Sequence, residues 1–382
     1  MRVAVVAGPD PGHAFPAIAL CLRFRERGDE PTLFTGTRWL DAAEAAGIAA
    51  RLLQGLAPRP IDDDGDVGRR IHERAAYIAT LLAPDLDALG PDLVVSDILT
   101  AGGGLAAELR GIPWVELSPH PLYSASKGLP PIGSGLAPGI GVRGRVRDAV
   151  LRRLTARSIE QGLRQRSGAR IGIGLPARDP GPVARLIATL PALEVARPDW
   201  PAEAHVVGPL HWEPTDDLLA PPPGEAPLVM VAPSTAFTGA LGMVETVLAA
   251  LDGAGVRVAV SMIDEPPADL PDWASAGLGR QDRLLAQASA VVCGGGHGLL
   301  SKALLSGLPV VTVPGDGDQW ELSNRAMRQG SSLLVRPPTP EGVRAAVERV
   351  LTQTQFAAAA AVAAASAAQV EDSVEICHRA AS

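Results

Sequence analysis

Short apolar runs punctuate this chain at regular intervals, and helical patterns fill the spaces between them. In the first half the runs fall near residues 2–7, 31–35, 49–53, 92–96 and 113–117, with helical patterns near 14–27, 38–46, 69–89 and 101–110. In the second half the runs fall near 228–232, 256–260, 290–293, 309–313 and 332–335, and the helices near 238–253, 281–287, 298–306, 319–329 and 340–351. Runs such as Leu93-Val-Val and Val291-Val292 are apolar without alternation, so both faces of each strand must be covered. Strands joined by helices form parallel sheets with helices on both faces. A Pro-rich stretch holding Pro198, Pro201, Pro209, Pro214 and Pro221 to Pro223 separates the halves and reads as a linker. The expected architecture is α/β, with two Rossmann-like domains facing each other across a cleft.

The 382 residues suffice for two cores, and with aromatics at only 3% the interior must be built from Val, Leu, Ile and Ala. A net charge of -8 with no large basic domain argues against nucleic acid as a partner. Cys21, Cys293 and Cys377 are odd in number and far apart, which fits a reducing cytoplasm rather than a disulfide framework or a metal site. No apolar run has the length of a membrane span, the Ala-rich tail at 357–368 included, and the start MRVAVVAG reads as a buried strand rather than a signal peptide. Residues 143–170 hold nine arginines, with Val146, Val150, Leu154 and Leu163 at helical spacing. The plain reading is a solvated amphipathic helix; weak peripheral contact with an anionic surface or an acidic acceptor is the other. The Gly/Pro segments 54–68 and 124–142 are long loops of the kind that carry function.

Five constellations carry chemistry. Gly8-Pro-Asp-Pro-Gly-His13 follows the first strand and opens a helix. It is not a dinucleotide fingerprint, and His13 sits where an imidazole can take a proton from a hydroxyl. Asp97 ends another strand and can hold the other ring nitrogen, or cap the turn that follows. Ser234 and Thr235 follow the strand at 228–232, as phosphate-binding hydroxyls or as turn formers. Gly294, Gly295, Gly296, His297 and Gly298 lie between a buried strand and a helix. Glycines there let the backbone curl so that free helix N–H groups meet an anion. After the next strand come Asp318 and Gln319, suited to sugar hydroxyls or to capping a helix.

These residues together resemble the GT-B glycosyltransferases of the family-one type, the bacterial macrolide and antibiotic enzymes above all, over nearly the whole length. The likeness is carried by Gly8…Gly12-His13…Pro16, the strand ending in Asp97, Val206-Val-Gly-Pro-Leu210, Gln281-Asp-Arg-Leu-Leu285, Gly307-Leu-Pro-Val-Val311 and Pro314…Asp318-Gln319…Asn324. It implies an acceptor domain over 1–205, a donor domain over 206–355, and a C-terminal helix over 356–382 crossing back to the first domain. It implies inverting sugar transfer from a nucleoside-diphosphate sugar of UDP or TDP type, a co-substrate rather than a cofactor. No metal is expected. His13 would be the base and Asp97 its partner. Arg280 and Gln281 would lie at the nucleotide, the glycine loop and Lys302 near phosphate, and Asp318 and Gln319 on the sugar. His120 and Tyr123 would line the acceptor side for a small or medium apolar molecule. Two loop positions depart from the family: Gly294 stands where it has histidine and Leu299 where it has Thr or Ser, leaving His297 as a substitute. A nucleotide-binding protein without turnover and a nucleotide-sugar epimerase are the alternatives.

Overall fold

The computed structural model describes residues 1–62, 65–236 and 239–382. The first half forms a seven-stranded sheet from β1 (Arg2–Val6), β2 (Glu30–Thr35), β3 (Ala49–Leu52), β4 (Leu93–Asp97), β5 (Trp114–Ser118), β6 (Ala184–Ile187) and β7 (Ala204–Val206). Its helices are α1 (Pro11–Glu26), α2 (Leu40–Ala45), α3 (Val67–Leu89), α4 (Gly102–Arg110) and α5 (Gly141–Gly172). The second half forms a six-stranded sheet from β8 (Leu228–Ala232), β9 (Arg257–Ser261), β10 (Ala274–Gly277), β11 (Ala290–Cys293), β12 (Val310–Thr312) and β13 (Ser332–Leu334). With it go α6 (Met243–Leu251), α7 (Gln281–Leu285), α8 (His297–Leu305), α9 (Asp318–Gln329), α10 (Pro340–Thr352), α11 (Thr354–Ala365) and α12 (Ser373–Ala381).

The strand orders are β3-β2-β1-β4-β5-β6-β7 and β10-β9-β8-β11-β12-β13, and every pairing is parallel. Each sheet reverses its winding once, between β1 and β4 in the first and between β8 and β11 in the second. The crevice outside the strand ends at such a reversal is where open α/β sheets bind ligands. His13 follows β1 and Asp97 ends β4; Ser234 follows β8 and Gly294 to Gly298 follow β11. With Asp318 and Gln319 after β12, the five sequence constellations stand at, or one strand away from, the two switch points.

Val3, Val5, Val95, Val115 and Leu117 pack under Ile18, Leu20 and Phe24 of α1 on one face of the first sheet. The other face is covered by α3 and α4 through Ile78, Leu82, Leu86 and Ala106. Three glycines at the start of α4 let it lie this close: a Cβ on Gly103 would come 2.8 Å from that of Val6, and one on Gly104 2.9 Å from the Trp114 ring. The second sheet is covered the same way, with Val247 and Val347 on one face and Leu300, Leu304 and Leu322 on the other.

Three strands escape the sequence pattern. β6 and β7 lie between the arginine-rich helix and the linker, β7 inside the Pro-rich stretch itself; β10 reads ASAG and is only half-buried. The helix expected from 238 is ordered as α6 from Met243, and its expected start lies outside the described residues, as do 63–64 of the loop 54–68. The tail is two helices rather than one. Phe356, Ala360 and Ala363 of α11 enter the second domain's core, whereas Val374, Ile376 and Cys377 of α12 enter the first. Asp372 caps α12 by accepting from Val374 N and Glu375 N at 2.8 and 3.1 Å. Among the described residues no single helix is long and apolar enough to cross a membrane.

Candidate active site

His13 lies in the first turn of α1. Three features hold that turn: the Trp39 indole donates to Pro9 C=O at 2.6 Å, Phe15 packs edge-on between Trp39 and Trp212, and Pro16 fixes the second turn. Pro16 has no N–H to give the carbonyl four residues back, so that of Gly12 is left out of the helical ladder. His13 Nδ1 sits 2.7 Å from Asp97 Oδ2. The carboxylate is buried, and its other oxygen accepts from Leu99 N at 3.0 Å, Thr100 N at 3.2 Å and Thr100 Oγ1 at 3.4 Å. Asp97 thus holds both expected roles at once, one oxygen on the turn and one on the imidazole. Burial alone would lower the His13 pKa, but Asp97, then Asp10 and Asp318, outweigh it and raise the pKa above the usual 6.5. Asp318 reaches this balance from the other domain, so the cleft joins the two halves electrostatically.

His120 and Tyr123, expected on the acceptor side, stack with centroids 4.3 Å apart. The His120 Nδ1–H donates to Pro121 C=O at 2.8 Å, and burial pushes its pKa below the usual value. The Tyr123 hydroxyl is buried with no hydrogen-bond partner among the described residues. Burial, then the nearby Asp318 carboxylate, drives its pKa well up.

The side expected to take the donor centres on the loop after β11. Gly295 has φ +77°, and a Cβ there would collide with the Ser323 hydroxyl; one on Gly294 would come 2.9 Å from that of Ser234. Both positions require glycine. Gly296 caps α8 in an extended conformation with no side-chain bond to the first N–H groups. That end of the helix presents its positive pole to the cleft. Gln319 is buried; its amide donates to Ser234 Oγ at 2.8 Å and accepts from Gly315 N at 3.1 Å. Asp318 and Thr235 are exposed.

His297 Nε2 lies 2.9 Å from Thr189 Oγ1, a buried hydroxyl just after β6 in the first domain. Burial, then the neighbouring His120, pushes the His297 pKa down to about 3. The ring is therefore neutral, a hydrogen-bonding group rather than a charge. Lys302 is engaged elsewhere: Nζ donates to Glu213 Oε1 at 2.7 Å and to Gln281 Oε1 at 3.0 Å. Glu213 also accepts from Gln281 N at 3.0 Å. Arg280 pairs with Asp282 at 2.8 Å and Asp216 at 3.1 Å. Glu213, Arg280, Asp282 and Asp216 border a cavity of about 560 Å³ between α2 and the linker, lined also by Trp212 among others.

Neither Thr189 nor Glu213 stands out in the sequence, because each acts through a partner more than eighty positions away. A third feature missed is the strap across the cleft. Gly133 N and Gly135 N donate to Glu321 Oε2 at 3.2 and 3.0 Å, Trp320 Nε1 donates to Ser134 C=O at 3.2 Å, and Arg328 donates to Gly135 C=O at 2.7 Å. The Gly/Pro loop read as a functional segment is held against α9. Behind it Arg325 joins Glu321 of its own helix to Glu194 of the first domain at 3.0 and 3.2 Å.

Two parallel α/β domains with their switch points facing across one cleft, and homologues of a single kind, define a GT-B-fold glycosyltransferase; those homologues are of the antibiotic and natural-product type. The chain is 28% identical to 4'-demethylrebeccamycin synthase of Lentzea aerocolonigenes over 93% of each protein. Its backbone superposes on the glycosyltransferase of kitacinnamycin with a TM-score of 0.75 at 20% identity, covering 99% of this chain and 97% of that one. It superposes on glycosyltransferase VinC, solved in complex with dTDP, with a TM-score of 0.71 at 20% identity, covering 100% and 99%. No family model matches the chain.

Proposed function

We propose that this protein moves a sugar, with inversion, from a nucleoside-diphosphate sugar of TDP or UDP type to a hydroxyl of a small or medium apolar acceptor. The observation that carries the reading is the His13–Asp97 pair at the first switch point, opposite the α8 N-terminus at the second. With Nδ1–H donated to Asp97, Nε2 is left as the basic atom. It takes the proton of the acceptor hydroxyl while that oxygen forms its bond to the anomeric carbon. The bond from that carbon to the diphosphate breaks on the opposite face. Asp97 steadies the imidazolium. The departing diphosphate is met by the N–H groups of Gly296 to Gly298 and the helix pole, and by the His297 ring as a neutral donor. Asp318 and Gln319 hold sugar hydroxyls, and the Gln319–Ser234 bond sets the amide's direction. The Gln281 segment supports the nucleoside. The buried Tyr123 hydroxyl beside His120, without a hydrogen-bond partner among the described residues, offers a polar anchor on the acceptor side. The dTDP held by VinC favours TDP among the donor classes.

The test is transfer from TDP- and UDP-sugars to a panel of hydroxylated aromatic and polyketide-like acceptors, comparing wild type with His13→Ala. Loss of at least about a hundredfold in kcat with unchanged nucleotide affinity is expected. Equal rates would remove the base, and nucleotide binding without any turnover would leave a binding protein.

A further inference from the structure

The helix α5 does not behave as a buried element of either domain. It is 32 residues long, about 48 Å at 1.5 Å per residue, and from Gly141 to Gln161 almost every side chain faces water. Val142, Val146, Val150 and Leu154 are 71, 56, 54 and 72% exposed, and Ile140 just before the helix is 94% exposed. Residues spaced by four share a face, and at 100° per residue these four fall within an arc of roughly 120°. Arg143, Arg153 and Arg157 fall in the same arc, and Arg145 lies roughly 60° outside it.

The charge on this stretch is one-sided in a chain whose net charge is -8. Between 141 and 158 there are six arginines and one acid, Asp148. Asp148 is buried and already committed to Arg147 and Gly139 N. Arg152 turns inward to Leu129 C=O. Arg143, Arg145, Arg153 and Arg157 have no ion-pair partner among the described residues. The second half of the helix differs, because Arg164 meets Glu160, Arg166 meets Asp179 and Arg170 meets Glu108. The free cations and the exposed apolar row therefore coincide on the outer face of the first half.

We propose that this face is a docking surface for an anionic lipid bilayer. The chemistry fits an interface: the apolar side chains enter the headgroup and acyl boundary, and the arginine stems lie along it with their guanidinium groups at the phosphates. An acidic protein would satisfy the cations but would not need the apolar row. The site lies outside the cleft, so docking would bring the enzyme to acceptors dissolved in a membrane without using the catalytic groups.

The full-length protein is floated with phosphatidylcholine vesicles, with and without phosphatidylglycerol, at low and high salt. Binding is expected only to the anionic vesicles and is expected to weaken with salt. Replacing Arg143, Arg145, Arg153 and Arg157 by Gln together should lower the partition coefficient at least about tenfold. The pair Val146→Ser and Leu154→Ser should abolish the part of binding that survives high salt. Both variants should keep the wild-type melting temperature and the wild-type rate on a water-soluble acceptor. No flotation with anionic vesicles, equal flotation with neutral ones, or flotation indifferent to the Arg→Gln changes would each overturn the proposal.

Discussion

Replacing Asp97 by Asn tests the dyad more sharply than removing His13, because the surroundings dictate which way the new amide points. One oxygen of Asp97 accepts from Leu99 N, Thr100 N and the Thr100 hydroxyl, all donors. In the variant that position must stay an oxygen, so the NH2 group takes the place of Oδ2, 2.7 Å from His13 Nδ1. It then donates, Nδ1 must accept, and the ring proton moves to Nε2, the atom that should act as base. The fold survives and the base is lost. The expected fall in kcat is about 10⁴-fold, the scale set by tautomer reversal in a Ser-His-Asp triad, or about 5 kcal/mol of barrier. Initial transfer rates against pH provide the assay. In the wild type the His13 pKa is raised, so activity is lost as pH falls through a value above 6.5. In the variant the largest raising influence is gone while burial remains, so the residual activity's acid limb moves to lower pH. The stability effect has the opposite sense: a raised His13 pKa stabilises the fold below the unfolded value, and this is lost as pH rises through the folded one. A variant within tenfold of wild type, or an acid limb that does not move, would refute the assignment.

Three other outcomes follow from the geometry. Lys302→Met strands the mostly buried Glu213 carboxylate and should cost about 2 kcal/mol in urea unfolding, most of it recovered in Lys302→Met with Glu213→Gln; a neutral single variant would show the pair to be idle. Gly295→Ala forces a left-handed backbone and a clash with Ser323, so calorimetric affinity for TDP should fall at least about tenfold, and unchanged affinity would remove the glycine loop from the donor site. Thr189→Val frees the His297 ring to rotate and should weaken donor binding about fivefold in KM with little change in kcat, whereas a purely catalytic loss would argue against a positioning role.

The strands that carry the site were legible because each is a buried apolar run ending in a polar residue or a glycine: Val6 before the His13 loop, the strand closed by Asp97, Cys293 before three glycines. Parallel strands buried on both faces leave that mark. β10 does not, since Ala274 to Gly277 are small and half-buried and become a strand only by pairing beside β9. β6 and β7 were hidden by their neighbours, a helix rich in arginine and a stretch rich in proline. The break between α11 and α12 had a local signal in Asp372, but the alanine run around it offered a longer helix at the same propensity. The dyad could be inferred because both members sit at strand ends. Lys302 could not be placed, because its partner Glu213 lies in the linker, and the cost of leaving a cation unpaired in the cleft decided its direction. His297 was placed near phosphate, but its tie to Thr189 belongs to the other domain and to no periodicity.

The chain passes between the domains twice, once through 207–227 and once through 366–372. The second passage runs beside the end of β7 and the start of the first: Glu371 N donates to Val206 C=O at 2.9 Å, the Glu371 carboxylate meets His205 at 2.9 Å, and Gly208 lies against Val370. Two crossings set far apart would act as posts and permit only a swing about the line between them. Two crossings laced together act as one short ribbon, stiff against stretching and shear but compliant in bending. Any opening of the cleft would have to bend this ribbon and release the bonds that hold the strap to α9. Cutting the tail before Ser366 would remove the second crossing together with Val374, Ile376 and Cys377 from the first domain's core, so that the crossing and the core it completes are lost as one.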